Sequence, residues 1–167
     1  MRIVPNLWFD TEALEAAEFY CSVFPDARIT RITRYGDGAR RPAGEVLTVT
    51  FELAGTAVTA INGGPEFTFD EAFSLCAECD DQAELDRVWD ALTDGGEEGV
   101  CGWCTDRYGL SWQVVPTELL ERLAAGNAAE SGAVQAVIET MSRLDVAALE
   151  AAFAGARTGD GGGGVSG

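Results

Sequence analysis

The chain has 167 residues, 47% of them hydrophobic, and a mean hydropathy near zero, enough for one domain or two small fused modules. Its formal net charge is −17, from 28 acidic residues against 11 basic ones, all arginine. That balance disfavours nucleic acid, which needs a basic face, and anionic membrane surfaces. No apolar run reaches membrane-spanning length, and the opening MRIVPNLWFD reads as strand rather than signal peptide. Five cysteines, an odd number, read as free thiols. A cytoplasmic protein is expected, and abundant Ala, Gly and Asp without Lys suggests a GC-rich bacterial genome.

In chain order, residues 2–9 predict a buried strand. Asp10 is the expected N-cap of a helix over 11–24, where Ala13, Ala16, Ala17, Tyr20, Val23 and Phe24 fall on one face. Pro25-Asp26 stops it, and a second strand follows over 27–35. The loop 36–44 is rich in turn residues. Residues 45–53 alternate, with Leu47, Val49, Phe51 and Leu53 on one face and Thr48, Thr50 and Glu52 on the other. Ala54-Gly55 turns the chain into a fourth strand, 56–62, ending at Asn62-Gly63-Gly64-Pro65. The pattern then starts again. A strand is expected over 72–79, and Asp81 with Glu84 opens a helix over 81–94 in the manner of a capping box. Leu85, Val88, Trp89 and Leu92 form its apolar face, and Gly95-Gly96 ends it. Short strands follow near 97–101 and 103–107, and a longer one over 110–115.

The last strand belongs to the stretch CGWCTDRYGLSWQVVP, residues 101–116. Asp106-Arg107-Tyr108-Gly109 is a turn, and Pro116 ends the strand because it cannot donate to a ladder. Leu110, Trp112 and Val114 share the packed face, while Ser111 and Gln113 share the other. A mid-strand amide needs partners or a wet cavity. The chain therefore reads as βαβββ twice. Beyond Pro116, three short helices are expected over 117–125, 130–143 and 145–154, followed by a Gly-rich, disordered tail over 155–167.

PNLWFD (5–10), AAEFYCSVF (16–24), INGGPEFTFDEAFS (61–74), the helix entry at 79–92 and CGWCTDRYGLSWQVVP resemble the PhnB-like proteins. That branch, often labelled 3-demethylubiquinone-9 3-methyltransferase, lies in the vicinal oxygen chelate superfamily of glyoxalase and bleomycin-resistance proteins. The resemblance is taken to cover residues 1–154. It implies an α+β fold of paired βαβββ modules, 1–63 and 72–116. Their curved mixed sheets surround a cavity, and a helical tail spans 117–154. It also implies a homodimer.

Leu47, Val49, Phe51, Leu53, Phe73, Leu75 and Ala77 should then meet the helices. Asn6, Trp8, Thr48, Thr50, Asn62, Ser74, Cys76, Ser111 and Gln113 should face the cavity, with Trp103 as further apolar wall. By the same resemblance, Gln113 stands where the superfamily's last metal carboxylate sits, and Ser74 where a histidine sits. The other two ligand positions fall near Val4 or Asn6 and near Ala60 or Asn62. The chain has no histidine, and hydroxyl and amide oxygens hold a transition metal weakly, so no metal and no cofactor are expected. Cys76-x-x-Cys79 and Cys101-x-x-Cys104 have zinc-like spacing, yet strand residues three apart point to opposite faces. Glu52, Glu78 and Asp106 are the carboxylates closest to the expected cavity. Asn62-Gly63-Gly64-Pro65 opens no helix, so it lacks the context of a nucleotide site for methyl transfer. The expected function is small-molecule binding of PhnB-like type, with an enzyme of unknown reaction left open and no catalytic group identified. The alternatives are a metal-dependent lyase or dioxygenase of glyoxalase type, and a structural or regulatory dimer with a vestigial cavity.

Overall fold

The computed structural model of the chain describes residues 1–159. They form two compact units that meet in sequence at Asp70 and Glu71. The first unit holds β1 (Asn6–Phe9), α1 (Ala13–Val23), β2 (Arg28–Arg34), β3 (Val46–Leu53) and β4 (Thr56–Asn62). The sheet order is β1-β4-β3-β2. β1 runs parallel to β4, and the other pairs are antiparallel. Ala13, Ala16, Ala17, Tyr20 and Val23 make the buried stripe of α1. Its alanines let the helix lie close to the sheet, while Tyr20 reaches Phe51 at 6.0 Å between ring centroids. Leu7, Phe9, Val49, Phe51, Leu53, Val58 and Ala60 complete that core. Full burial of a side chain such as Phe51 contributes about 1.5–3 kcal/mol.

Asp10 is not the N-cap of α1. The chain turns helical only at Ala13, too far along for the Asp10 carboxylate, which instead holds Arg41 at 2.6 Å. The first helical amide, Ala13 N–H, donates to Asn62 Oδ1 at 2.8 Å.

The second unit repeats the topology. β5 (Ser74–Cys79), α2 (Gln82–Thr93), β6 (Glu97–Glu98), β7 (Trp103–Thr105) and β8 (Ser111–Pro116) give the order β5-β8-β7-β6. Asp81 caps α2 by accepting from Glu84 N–H at 2.8 Å, and Glu84 reaches back to Asp80 N–H. Leu85, Val88, Trp89 and Leu92 are buried, as are Cys79, Cys104, Leu110, Trp112 and Val114. Phe73 precedes β5 and is 48% exposed, so it does not join the packed face.

Three helices follow: α3 (Thr117–Ala125), α4 (Ala128–Ile138) and α5 (Val146–Gly159). Asn127 and Glu130 form a reciprocal capping box at the start of α4. Helix α5 continues five residues into the stretch expected to be disordered. Ala151, Ala152, Ala154 and Ala156 are strong helix formers, Phe153 is a buried anchor, and Arg157 pairs with Glu130. The rest of the expected tail, from residue 160, lies outside the described residues. Among the described residues no helix is long and apolar enough to cross a membrane.

Candidate functional site

In the first unit, strand register sorts the sheet face opposite α1. Asn6 pairs with Thr59, Thr59 with Thr50, and Thr50 with Arg31. Beside that row runs another: Trp8, Ile61, Thr48 and Thr33. Directly paired residues share a face, so these eight side chains form two neighbouring rows. Thr33 and Thr48 hydroxyls bond at 2.6 Å, and those of Thr50 and Thr59 lie 3.4 Å apart. Trp8 Nε1–H donates to Gly64 O at 2.8 Å, and its ring packs nearly perpendicular to that of Phe67, 5.1 Å between centroids. A Cβ at Gly63 would run into the Trp8 indole, so glycine is needed there. Thus Asn6, Trp8, Thr48 and Thr50 do come together as expected. Thr33, Thr59, Ile61 and Arg31 join them unforeseen.

Asn62 does not face this side. It pairs with Phe9 and follows the parity of Val58 and Ala60, toward α1. Its amide is fully used: Oδ1 accepts from Ala13 N–H, and Nδ2 donates to Val46 O at 3.1 Å. Asn62 is a helix cap supplied from a strand, and its backbone oxygen accepts from the Tyr35 hydroxyl. It also lines a cleft of about 480 Å³ beside the start of α1, with Thr11, Glu12, Glu15, Arg41 and Glu45. The Thr11 backbone N–H holds the Glu12 carboxyl below the usual carboxylate range.

In the second unit, Ser74, Cys76, Ser111, Gln113 and Trp103 share one face by register. Gln113 Nε2 donates to Ser74 Oγ at 2.9 Å. Ser111 is only 2% exposed, flanked by Ser74 and Thr105 on the adjoining strands. Cys76 is exposed, but desolvation and the Glu78 carboxylate push its thiol up. Cys79 and Cys104 are buried, and burial pushes both thiols up to about 12. None of these is a poised thiolate.

Asp106 is 3% exposed. Its Oδ1 accepts from Tyr108 N–H at 2.8 Å and Leu110 N–H at 3.1 Å. Its Oδ2 accepts from Trp112 Nε1–H at 2.8 Å. The carboxylate fastens the β7–β8 turn.

The superfamily's metal does not fit these side chains. Ser74 and Gln113 bond to one another, and Ala60 and Asn62 point to the helix. Among the described residues no group of three His, Cys, Asp or Glu side chains is placed to hold an ion. Cys76 and Cys79 lie on opposite faces of β5, the first exposed and the second buried.

A family model described as 3-demethylubiquinone-9 3-methyltransferase matches residues 1–115. The chain belongs to that family. It is a PhnB-like member of the vicinal oxygen chelate superfamily, with the glyoxalase/bleomycin-resistance fold. A PhnB protein from Bacillus cereus is 32% identical with a TM-score of 0.63, over 69% of this chain and 99% of its own. A protein from Pseudomonas aeruginosa is 23% identical with a TM-score of 0.57, over 70% and 96%. Fosfomycin resistance protein FosX from Mesorhizobium loti shares the fold at 17% identity and a TM-score of 0.50, over 74% and 98%. No curated protein matches the chain. The family match ends at residue 115, so α3–α5 lie beyond it, contrary to the expected coverage to residue 154. Asn62-Gly63-Gly64-Pro65 leads into an irregular segment before β5, so this family member has no helix there to receive a nucleotide phosphate.

Proposed function

We propose that this PhnB-like protein binds a small molecule on the sheet faces opposite its two module helices, without a catalytic transition metal. The observation that carries this reading is the face of Asn6, Trp8, Thr48, Thr50, Thr59 and Ile61. It combines hydroxyls with one fixed indole, the mixture of apolar wall and few polar groups that binding sites use. Gln113 and Ser74, held by their mutual bond, offer a second polar pair in the other module. Five free thiols suit a reducing compartment such as the bacterial cytoplasm. We propose a homodimer as the working state, which sedimentation at micromolar concentration reads as about twice the chain mass.

The test is a fragment screen read by two-dimensional amide NMR on labelled protein, with metal analysis of the same sample. Binding should shift the amides of Thr48, Thr50 and Thr59 or of Ser74 and Gln113. Shifts confined to other surfaces overturn the site. One zinc, iron or manganese per chain that survives mild purification overturns the metal-free reading and favours a glyoxalase-type enzyme. No fragment binding at all favours the vestigial dimer.

A further inference from the structure

The first unit's open face carries an arginine that its neighbours leave free. Arg31 sits opposite Thr50, between Ile29 and Ile32, which pair with Phe51 and Val49 of the packed face. It therefore points to the same side as the threonine rows. Every other arginine from residue 28 onward has a partner. Arg28 pairs with Glu52, Arg40 with Glu66, Arg41 with Asp10 and Glu45, and Arg87 with Glu84. Arg107 pairs with Asp94, Arg122 with Glu118, Arg143 with Asp86 and Arg157 with Glu130. Arg34 donates to Gly44 O. Arg31 has no such partner among the described residues, in a chain with 28 carboxylates to choose from. Glu52, the one carboxylate among the strand residues of this face, is already taken by Arg28.

The face is thus graded. At its β1 end stand Trp8 and Ile61; the Trp8 N–H is spent on Gly64 O, so the half-buried indole, packed by Phe67 and Gly63, offers a ligand only apolar ring. At its β2 end stand Arg31, Thr33 and Thr50. The three strand gaps between β1 and β2 span roughly 14 Å. A guanidinium fork matches a carboxylate or phosphonate in plane and charge, and threonine hydroxyls can donate to the remaining oxygens.

We infer that the ligand of this face has a flat apolar body that lies on Trp8 and Ile61 and an oxyanion head that Arg31 receives with Thr33 and Thr50. This rests on the small-molecule site proposed above and adds the ligand's charge and shape. Because the chain as a whole is strongly acidic, that single cation selects by local contact rather than by long-range steering.

The probes are 2-naphthoate, phenylphosphonate and the neutral isostere 2-naphthamide, titrated calorimetrically and by amide NMR into the full chain. Wild type should bind 2-naphthoate about tenfold more tightly than 2-naphthamide, with shifts at Thr33 and Thr50. Arg31→Gln should bring the two within about twofold while leaving naphthamide affinity in place, and Arg31→Lys should restore part of the preference. Trp8→Ala should weaken both naphthyl probes equally. Phenylphosphonate should likewise lose affinity on Arg31→Gln, and retention of its full affinity overturns the inference. Equal binding of acid and amide by wild type, or a preference that survives Arg31→Gln, overturns the inference. Neutral fragments seated on the face without any acid preference would overturn it and leave the proposed site standing. Failure of fragments of every charge would remove both.

Discussion

Replacing Asp106 by asparagine separates a structural carboxylate from a catalytic one. In a buried place the carboxylate accepts from two backbone amides on Oδ1 and from the Trp112 indole on Oδ2 at 2.8 Å. Asparagine has one carbonyl oxygen. If that oxygen keeps the turn amides, its NH₂ faces the indole N–H, donor against donor. A charge-assisted bond of about 1.5–3 kcal/mol is lost, and a buried indole N–H is left without an acceptor. Backbone bonds to a neutral amide are also weaker than to a carboxylate. The net cost should be about 2–4 kcal/mol, read as a lower urea midpoint at unchanged slope. The Trp112 indole proton should move in the NMR spectrum. In a cycle with Trp112→Phe the pair should couple by about 1.5–3 kcal/mol. A cost below about 0.5 kcal/mol with an unmoved indole proton would refute the structural role, and the carboxylate would return to the list of candidate acids.

Asn62→Ala removes the cap of α1 and strands Val46 O, so denaturant melts should show a loss of about 2–3 kcal/mol. In the native protein at pH 8, Cys79 and Cys104 should resist a disulfide reagent until unfolding, because burial holds both thiols near 12, whereas exposed Cys76 should react. The Arg157 guanidinium and the Asn127 backbone N–H hold the Glu130 carboxyl below its ordinary range. A depressed carboxyl stabilises above its unfolded pKa and loses that stabilisation as pH falls through the folded one. Acid titration followed by amide NMR should therefore weaken the α4–α5 pairing only below the ordinary carboxylate range, and Glu130→Gln should abolish that pH dependence.

Alternation made much of the site legible. Leu7 and Phe9 against Asn6 and Trp8, and Val49 and Phe51 against Thr48 and Thr50, sort by parity alone. The buried and open faces in the structure follow that parity. The same count applied to β4 would have picked Thr59 and Ile61. The resemblance instead puts a ligand position near Ala60 or Asn62, and the partner of Asn62, Ala13 N–H, is 49 residues away. β2 hid Arg31 for another reason. Register shifts between Ile29 and Arg31 and between Thr33 and Arg34 break the period of two, so RITRITR cannot be sorted into faces without its partner strand. Asp106 was legible as a turn residue, but nothing local reveals that the Trp112 indole donates to it.

The C-terminal helices are the part furthest from family pattern, and backbone geometry ties them to the second module. Cys101 takes φ 61° and Gly102 φ 81°, in the left-handed region, which costs a non-glycine residue about 1–2 kcal/mol. That turn presents two amides outward, and the returning chain receives both: Cys101 N–H donates to Met141 O at 2.7 Å and Gly102 N–H to Ser142 O at 2.8 Å. A Cβ at Gly102 would press on Val114 O and Leu144, so glycine there serves close packing as well as conformation. Leu144 is 1% exposed, and Gln82 of α2 clasps the chain on both sides of it, donating to Leu144 O and accepting from Val146 N–H. Arg143 adds an ion pair to Asp86 on the same helix. The contacts of segment 141–146 fall on α2 and the β6–β7 turn, not on the strand face that carries Gln113 and Ser74. The added helices thus secure the second module by way of α2 and that turn, and none of these contacts draws on the polar pair proposed to meet a ligand.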